Sequence, residues 1–220
     1  AYDYDEDIVA DFKKNGYVNY GSKNYVWFHL MGQHFAFADK CPNDKKVFQI
    51  KDIKRTDGYL TNEMKQVIAD YDNAVHYNDE VLKSIIDLFR NTNSVLVFIS
   101  DHGEEAYDYR AKTSRPAMET GLESEYAHCQ YDVPLFVWCS DQYLKKHKDV
   151  IKELKSSKGH SSMSDKIGYS MLRLAQVKTK YYLPQRDITN MNFQKTKRTI
   201  YLMGGEKSMD YDVVTHYTHL

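Results

Sequence analysis

The sequence predicts an α/β fold with a largely parallel central sheet flanked by helices. Three observations predict it. Helix-like and strand-like stretches alternate along the chain, one strand-like stretch is apolar at every position, and no Pro/Ser/Gly linker, low-complexity tract or internal repeat divides the 220 residues. The apolar stretch is VLVFI, Val95 to Ile99, whose β-branched bias suits a strand covered on both faces, as in a parallel sheet. At 42% hydrophobic the chain can bury the core of one domain, taken as residues 1–220.

The elements follow in order. Asp5 to Lys14 is a short helix stopped by Asn15-Gly16. NYVWFHLMGQH reads as a strand, Tyr25 to Leu30, that ends in a loop bearing His34. A long helix starts near Asn62, an N-cap with Glu63 in the first turn, and runs to about Arg90. Its apolar positions (Met64, Val67, Ile68, Tyr71, Val75, Leu82, Ile85, Ile86 and Phe89) keep a three-to-four spacing, so one face packs on the sheet. Strand Val95 to Ile99 comes next and runs straight into Asp101-His102-Gly103-Glu104. A loop of roughly 30 residues then leads to VPLFVW, a length that in compact domains marks functional or mobile segments. Helices Asp141 to Leu154 and Ser164 to Ala175 precede a last strand near Thr199 to Met203.

Composition excludes some functions. A net charge of −1 offers no field for nucleic acid or anionic membrane. Cys41, Cys129 and Cys139 are too few and too irregular for a disulfide framework, so the redox compartment stays open. No apolar run approaches a membrane span and no signal-peptide h-region occurs. The start, AYDYDEDIVADFKKNG without Met, has the look of an excised piece. The 19 tyrosines suit half-wet surfaces such as sugar or glycolipid clefts.

In open α/β sheets the loops at the carboxyl ends of strands carry the ligand site, which is where Asp101 and His102 fall. Gly103 is expected to let the backbone turn so that the two side chains converge. With His34 delivered from another strand end, the three form an N/O set suited to zinc or manganese, gathered at one edge of the sheet. Taken singly, an Asp-His pair is a loop cap and a lone histidine a polar loop residue; the combination points to a metal.

The segments YDNAVHYNDEVLKSIIDLF, VLVFISDHGEE, WFHLMGQHFAFADKCP, YDVPLFVWCSD and SDKIGYSMLRLAQVKTKYYLPQRDI resemble the sulfatase and alkaline-phosphatase superfamily, and within it the bacterial phosphoethanolamine transferases of the cell envelope. The resemblance covers about Trp27 to Ile188, and Ser-Asp-His-Gly-Glu is its most specific part. It implies an alkaline-phosphatase-like sandwich whose N-terminal part is missing here. It makes Asp101 and His102 zinc ligands, with Glu104 supporting them from behind, and His34 a further ligand or a contact to the transferred phosphate. The family's loop histidine is replaced by Ser114 or Arg115, so either His128 substitutes as a phosphate contact or the position is lost. The nucleophile, a Thr with an acidic zinc ligand near it, is expected upstream, so no catalytic nucleophile lies in this chain, which holds half a site.

The intact mechanism implied by the resemblance moves phosphoethanolamine from a phosphatidylethanolamine donor to the Thr and then to lipid A or a glycan, at the periplasmic face of the inner membrane. Two alternatives stand beside it, a sulfatase proper and a degenerate glycan-binding relative. Tyr71, Asn73 and Tyr77 on the long helix read as core packing for the tyrosines and solvent exposure for the amide.

Overall fold

The computed structural model describes residues 2–15, 21, 23–115, 126–201 and 208–215. They fall into two units, Ala1–Leu88 with Ala106–Ser114, and Phe89–Glu105 with Arg115–Leu220.

The first unit is organised by the two helices whose periodicity the sequence displays, α1 (Asp5–Asn15) and α2 (Asn62–Phe89). The buried stripe of α2 runs through Ile68, Ala69, Asn73, Ala74, Tyr77, Asn78, Val81 and Ile85. It is rotated from the stripe that hydrophobicity alone selects: Val75 is exposed, while two asparagines are buried. Tyr77 packs edge-on against Tyr4, its hydroxyl accepts from the Glu6 amide at 3.4 Å, and burial raises its pKa. Lys45 ties α1 to α2 through Glu6 at 2.9 Å and Glu80 at 3.3 Å.

Asn73 corrects the expectation that its amide faces solvent. It is 1% exposed. Its Oδ1 accepts from the amides of Val47 and Phe48 at 2.7 and 2.8 Å, and its Nδ2 donates to the Phe48 carbonyl at 2.9 Å. A connection outside any helix or strand must satisfy its backbone groups somewhere, and here one side chain does so three times. Tyr25 to Leu30 is a second correction, because it is not a strand. Its alternation survives, with Val26, Phe28 and Leu30 half-buried and Tyr25 and Trp27 exposed, but no described strand pairs with it, and a strand exists only by pairing.

The second unit opens with β1 (Val95–Ile99). Next along the chain is a small hairpin, β2 (Glu105–Ala106) with β3 (Thr113–Ser114), whose residues from Ala106 on are counted in the first unit. The one-turn helix α3 (His128–Tyr131) then precedes β4 (Leu135–Cys139). β1 pairs β4 antiparallel, Val95 opposite Cys139 and Ile99 opposite Leu135. The largely parallel sheet is not seen among the described residues, and β1 is half-buried throughout instead of covered on both faces. Burial pushes the Cys139 thiol up to about 11, and Cys41, Cys129 and Cys139 form no disulfide.

The helix expected over Asp141 to Leu154 is two helices, α4 (Asp141–Lys146) and α5 (Lys148–Ser156), broken where His147 leaves helical geometry (φ −122°, ψ 50°). Buried Ser140 caps α4 by accepting from the Tyr143 amide at 3.2 Å and also from the Ser94 amide at 3.1 Å. α6 (Ile167–Leu174) follows a single 3₁₀ turn over Ser164–Lys166. Asp187, fully buried, accepts from Ser170 and Tyr182 hydroxyls and from both the amide and hydroxyl of Thr189 at 2.7 to 2.8 Å. Burial and this bond push the Tyr182 hydroxyl up to about 12. The chain closes with β5 (Thr199–Tyr201), antiparallel to β6 (Ser208–Asp210), and α7 (Tyr211–Val214); Met203, the expected end of β5, lies outside the described residues.

Replacing Asn73 by Ala strips two amides and a carbonyl of their partner. The expected cost is about 2–3 kcal/mol of unfolding free energy by urea titration, against well under 1 kcal/mol for a solvent-facing amide.

Candidate functional site

The site begins where β1 ends. Because β4 runs antiparallel, the carboxyl end of β1 lies beside the amino end of β4, and the Ser100 amide extends the ladder by donating to the Pro134 carbonyl at 3.3 Å. The segment before β4, which carries His128, is thereby brought to the loop after β1. One more bond fixes the approach, from the Gly103 amide to the Gln130 carbonyl at 2.7 Å.

That approach explains Gly103, and differently from the expectation. Its φ is not in the left-handed region, which among described glycines is occupied by Gly32 and Gly159. A Cβ on Gly103 would lie 2.2 Å from the Cys129 carbonyl oxygen and 3.1 Å from the backbone carbons of Cys129 and Gln130. The residue is glycine because two backbones touch there, not because the chain must turn. α3 is itself seated on a core of Ala127, Ile200 and Tyr211, against which Tyr131 packs.

Within the loop, the Ser100 hydroxyl donates to the His102 carbonyl at 2.7 Å, and the His102 amide donates to Asp101 Oδ1 at 3.0 Å. The His102 Nδ1 faces the Gly103 carbonyl at 2.8 Å. A carbonyl only accepts, so Nδ1 carries a proton, and in the neutral ring it is Nε2 that offers a lone pair. This is the arrangement of a metal-binding imidazole, whose far nitrogen is held by a backbone carbonyl. Nε2 lies 3.8 Å from Asp101 Oδ1. Two atoms each about 2.1 Å from one zinc ion can be at most about 4.2 Å apart, so the pair fits a shared ion. Asp101 is exposed and His102 largely covered, while Glu104, nearly buried, places Oε2 3.9 Å from His102 Nδ1 on the side away from Asp101. Among the described residues no group of three or more His, Cys, Asp or Glu is gathered to hold a metal.

His128 opens α3 with Nε2 3.5 Å from the Cys129 thiol, a neighbour that no sequence pattern marked. Of the loop where a histidine was expected, Ser114 has a positive φ of 73°, and 116–125 lie outside the described residues.

His34 belongs to the first unit. It closes a turn in which its amide donates to the Met31 carbonyl at 3.1 Å and Gly32 takes φ +52°. Its ring is exposed, with Nδ1 2.6 Å from the Phe35 carbonyl. The amides of Met31 and Gly32 donate to the Asp5 carboxylate at 2.9 and 2.8 Å. Nothing in the sequence singles out Asp5, one of three acids in the first turn of α1 with Glu6 and Asp7.

A family model described as Sulfatase matches residues 1–177. The phosphoethanolamine transferase CptA of Salmonella typhimurium is 31% identical over 207 residues, 91% of this chain and 33% of CptA. The Kdo(2)-lipid A phosphoethanolamine 7''-transferase of Escherichia coli is 28% identical over 63% of this chain and 23% of its own length. Among solved structures, the C-terminal periplasmic domain of Escherichia coli EptC in complex with Zn superposes with a TM-score of 0.79 at 27% identity, over 96% of this chain and 58% of that one. The chain thus spans about a third of the length of CptA.

Gly103→Ala forces the Cys129 carbonyl back and breaks the bond to Gln130. A loss of about 2–4 kcal/mol in urea unfolding is expected; a loss below about 0.5 kcal/mol would mean that the two backbones do not touch.

Proposed function

This chain belongs to the sulfatase family, and on that premise we propose that it is the C-terminal part of the catalytic domain of a zinc-dependent phosphoethanolamine transferase of the bacterial cell envelope. The observation that carries the reading is the Asp101–His102 pair at the end of β1, with Nε2 and Oδ1 within reach of one ion, in a chain that matches almost throughout a transferase domain crystallised with zinc.

Asp101 and His102 would hold the zinc, which when bound supplies Lewis acidity and offsets charge on the transferring phosphoryl oxygens. The chain's own residues do the rest. The Gly103 carbonyl fixes the His102 tautomer, and Glu104 lies beside the protonated Nδ1, where its charge makes Nε2 a better donor to metal. His34 and His128 would bind the phosphoryl group. With Nδ1 of His34 2.6 Å from the Phe35 carbonyl, Nε2 is the ring nitrogen left to meet a phosphoryl oxygen. The remaining metal ligands and the nucleophilic Thr are assigned to sequence upstream of Ala1, together with the rest of the sheet. The Thr oxygen, giving up its hydroxyl proton, would attack the phosphorus of phosphatidylethanolamine, and the bond to the diacylglycerol oxygen would break as that oxygen takes a proton. An oxygen of a lipid A phosphate would then attack the same phosphorus, and the Thr oxygen would leave and regain its proton. The setting is the periplasmic face of the inner membrane; no described helix is long and apolar enough to cross a membrane.

A degenerate glycan-binding relative is the second reading, favoured by Ser114 and Arg115 in place of a loop histidine. Zinc content and transfer of phosphoethanolamine to lipid A, measured on the full-length protein, separate the two. Stoichiometric zinc and turnover are expected, with His102→Ala lowering both at least about 100-fold and Glu104→Gln lowering zinc affinity about 10-fold. Turnover that survives His102→Ala overturns the reading. The 220-residue chain alone should turn over neither lipid nor sulfate ester whatever metal is supplied, since the nucleophile must be held in place for group transfer.

A further inference from the structure

We propose that Asp5 is a positioning residue for His34, holding in place the turn that aims the imidazole. The inference rests on the reading of His34 as a contact to the transferred phosphoryl group.

Residues 23–36 belong to no helix or strand, so no ladder fixes the direction of His34. What fixes it is a carboxylate far away in sequence. Asp5 Oδ1 accepts from the Met31 amide at 2.9 Å and Oδ2 from the Gly32 amide at 2.8 Å, one oxygen to each. Two successive amides pointing the same way, next to a residue in the left-handed region (Gly32, φ +52°), form a concavity that binds anions. Here the protein fills that concavity with its own carboxylate. Asp5 is only 8% exposed, and it is the first residue of α1, where the helix dipole stabilises negative charge. Both bonds are charge-assisted and little diluted by water. The same turn is closed by the His34 amide on the Met31 carbonyl and tethered by Gln33 Nε2 to the Ala74 carbonyl at 3.5 Å. Asp5 therefore sets the plane of the turn, and the turn sets where the imidazole starts. Asp5→Asn would turn an NH₂ toward one of the two amide donors, losing one bond and opposing donor to donor.

The test is a double-mutant cycle on the full-length protein, assaying phosphoethanolamine transfer from phosphatidylethanolamine to lipid A. Asp5→Asn is expected to lower kcat about 10-fold or more with less effect on KM, and Asp5→Glu, which keeps the carboxylate, to recover part of it. In a His34→Ala background Asp5→Asn should add less than about 2-fold, because a residue acting through His34 has nothing left to position. Effects that multiply, or full activity of Asp5→Asn alongside an impaired His34→Ala, overturn the assignment and leave the role of His34 standing. An unimpaired His34→Ala overturns that role and the assignment with it. Should Asp5→Asn fail to fold, hydrogen exchange at Met31 and Gly32 in the unmodified protein decides: protected amides support the clamp and freely exchanging ones remove it.

Discussion

The second unit depends on the antiparallel register of β1 with β4. It places the end of one strand beside the beginning of the other, so the Asp101–His102 loop and the His128 segment come together although about 25 residues separate them along the chain. Gly103 lets the contact close to backbone distance, and its amide spends its hydrogen bond on holding the neighbour. Short bonds within the loop then hold the His102 ring, with Nδ1 on the Gly103 carbonyl. The chemistry assigned to Asp101, His102 and Glu104 is a consequence of that register before it is a property of those side chains.

The first unit meets the same need by other means. Its connections are long and irregular, and their backbone groups are satisfied by buried polar side chains on helices: Asn73 for Val47 and Phe48, Asp5 for Met31 and Gly32. Buried polar groups of this kind have few alternatives. Once the amide or carboxylate is out of water, only one arrangement of the loop satisfies it, and that makes the loop specific.

These devices also mark where the sequence stopped being legible. Periodicity showed α1, α2, β1, β4 and β5 because burial repeats at the helical or strand period. An apolar strand, however, reports that it is covered and not which way its neighbour runs, so the antiparallel partner was unforeseen. Tyr25 to Leu30 has the alternation of a strand, but pairing is supplied by other chain segments and leaves no trace in its own residues. Hydrophobicity misplaced the α2 stripe because it scores Asn73 as polar, whereas Asn73 is buried for its hydrogen bonds. Asp101, His102 and Glu104 could be picked out because their motif is contiguous. Asp5 and the Cys129–Gln130 backbone could not, since what they do depends on partners that sequence distance hides.

The central claim is that Asp101 and His102 at the end of β1 share a zinc ion. Anomalous diffraction at the zinc edge, on crystals of the full-length protein, tests it most directly. The account predicts a single strong peak about 2.1 Å from both His102 Nε2 and an Asp101 carboxylate oxygen. A zinc peak bound by other residues, with these two atoms more than about 4 Å from it, would contradict it.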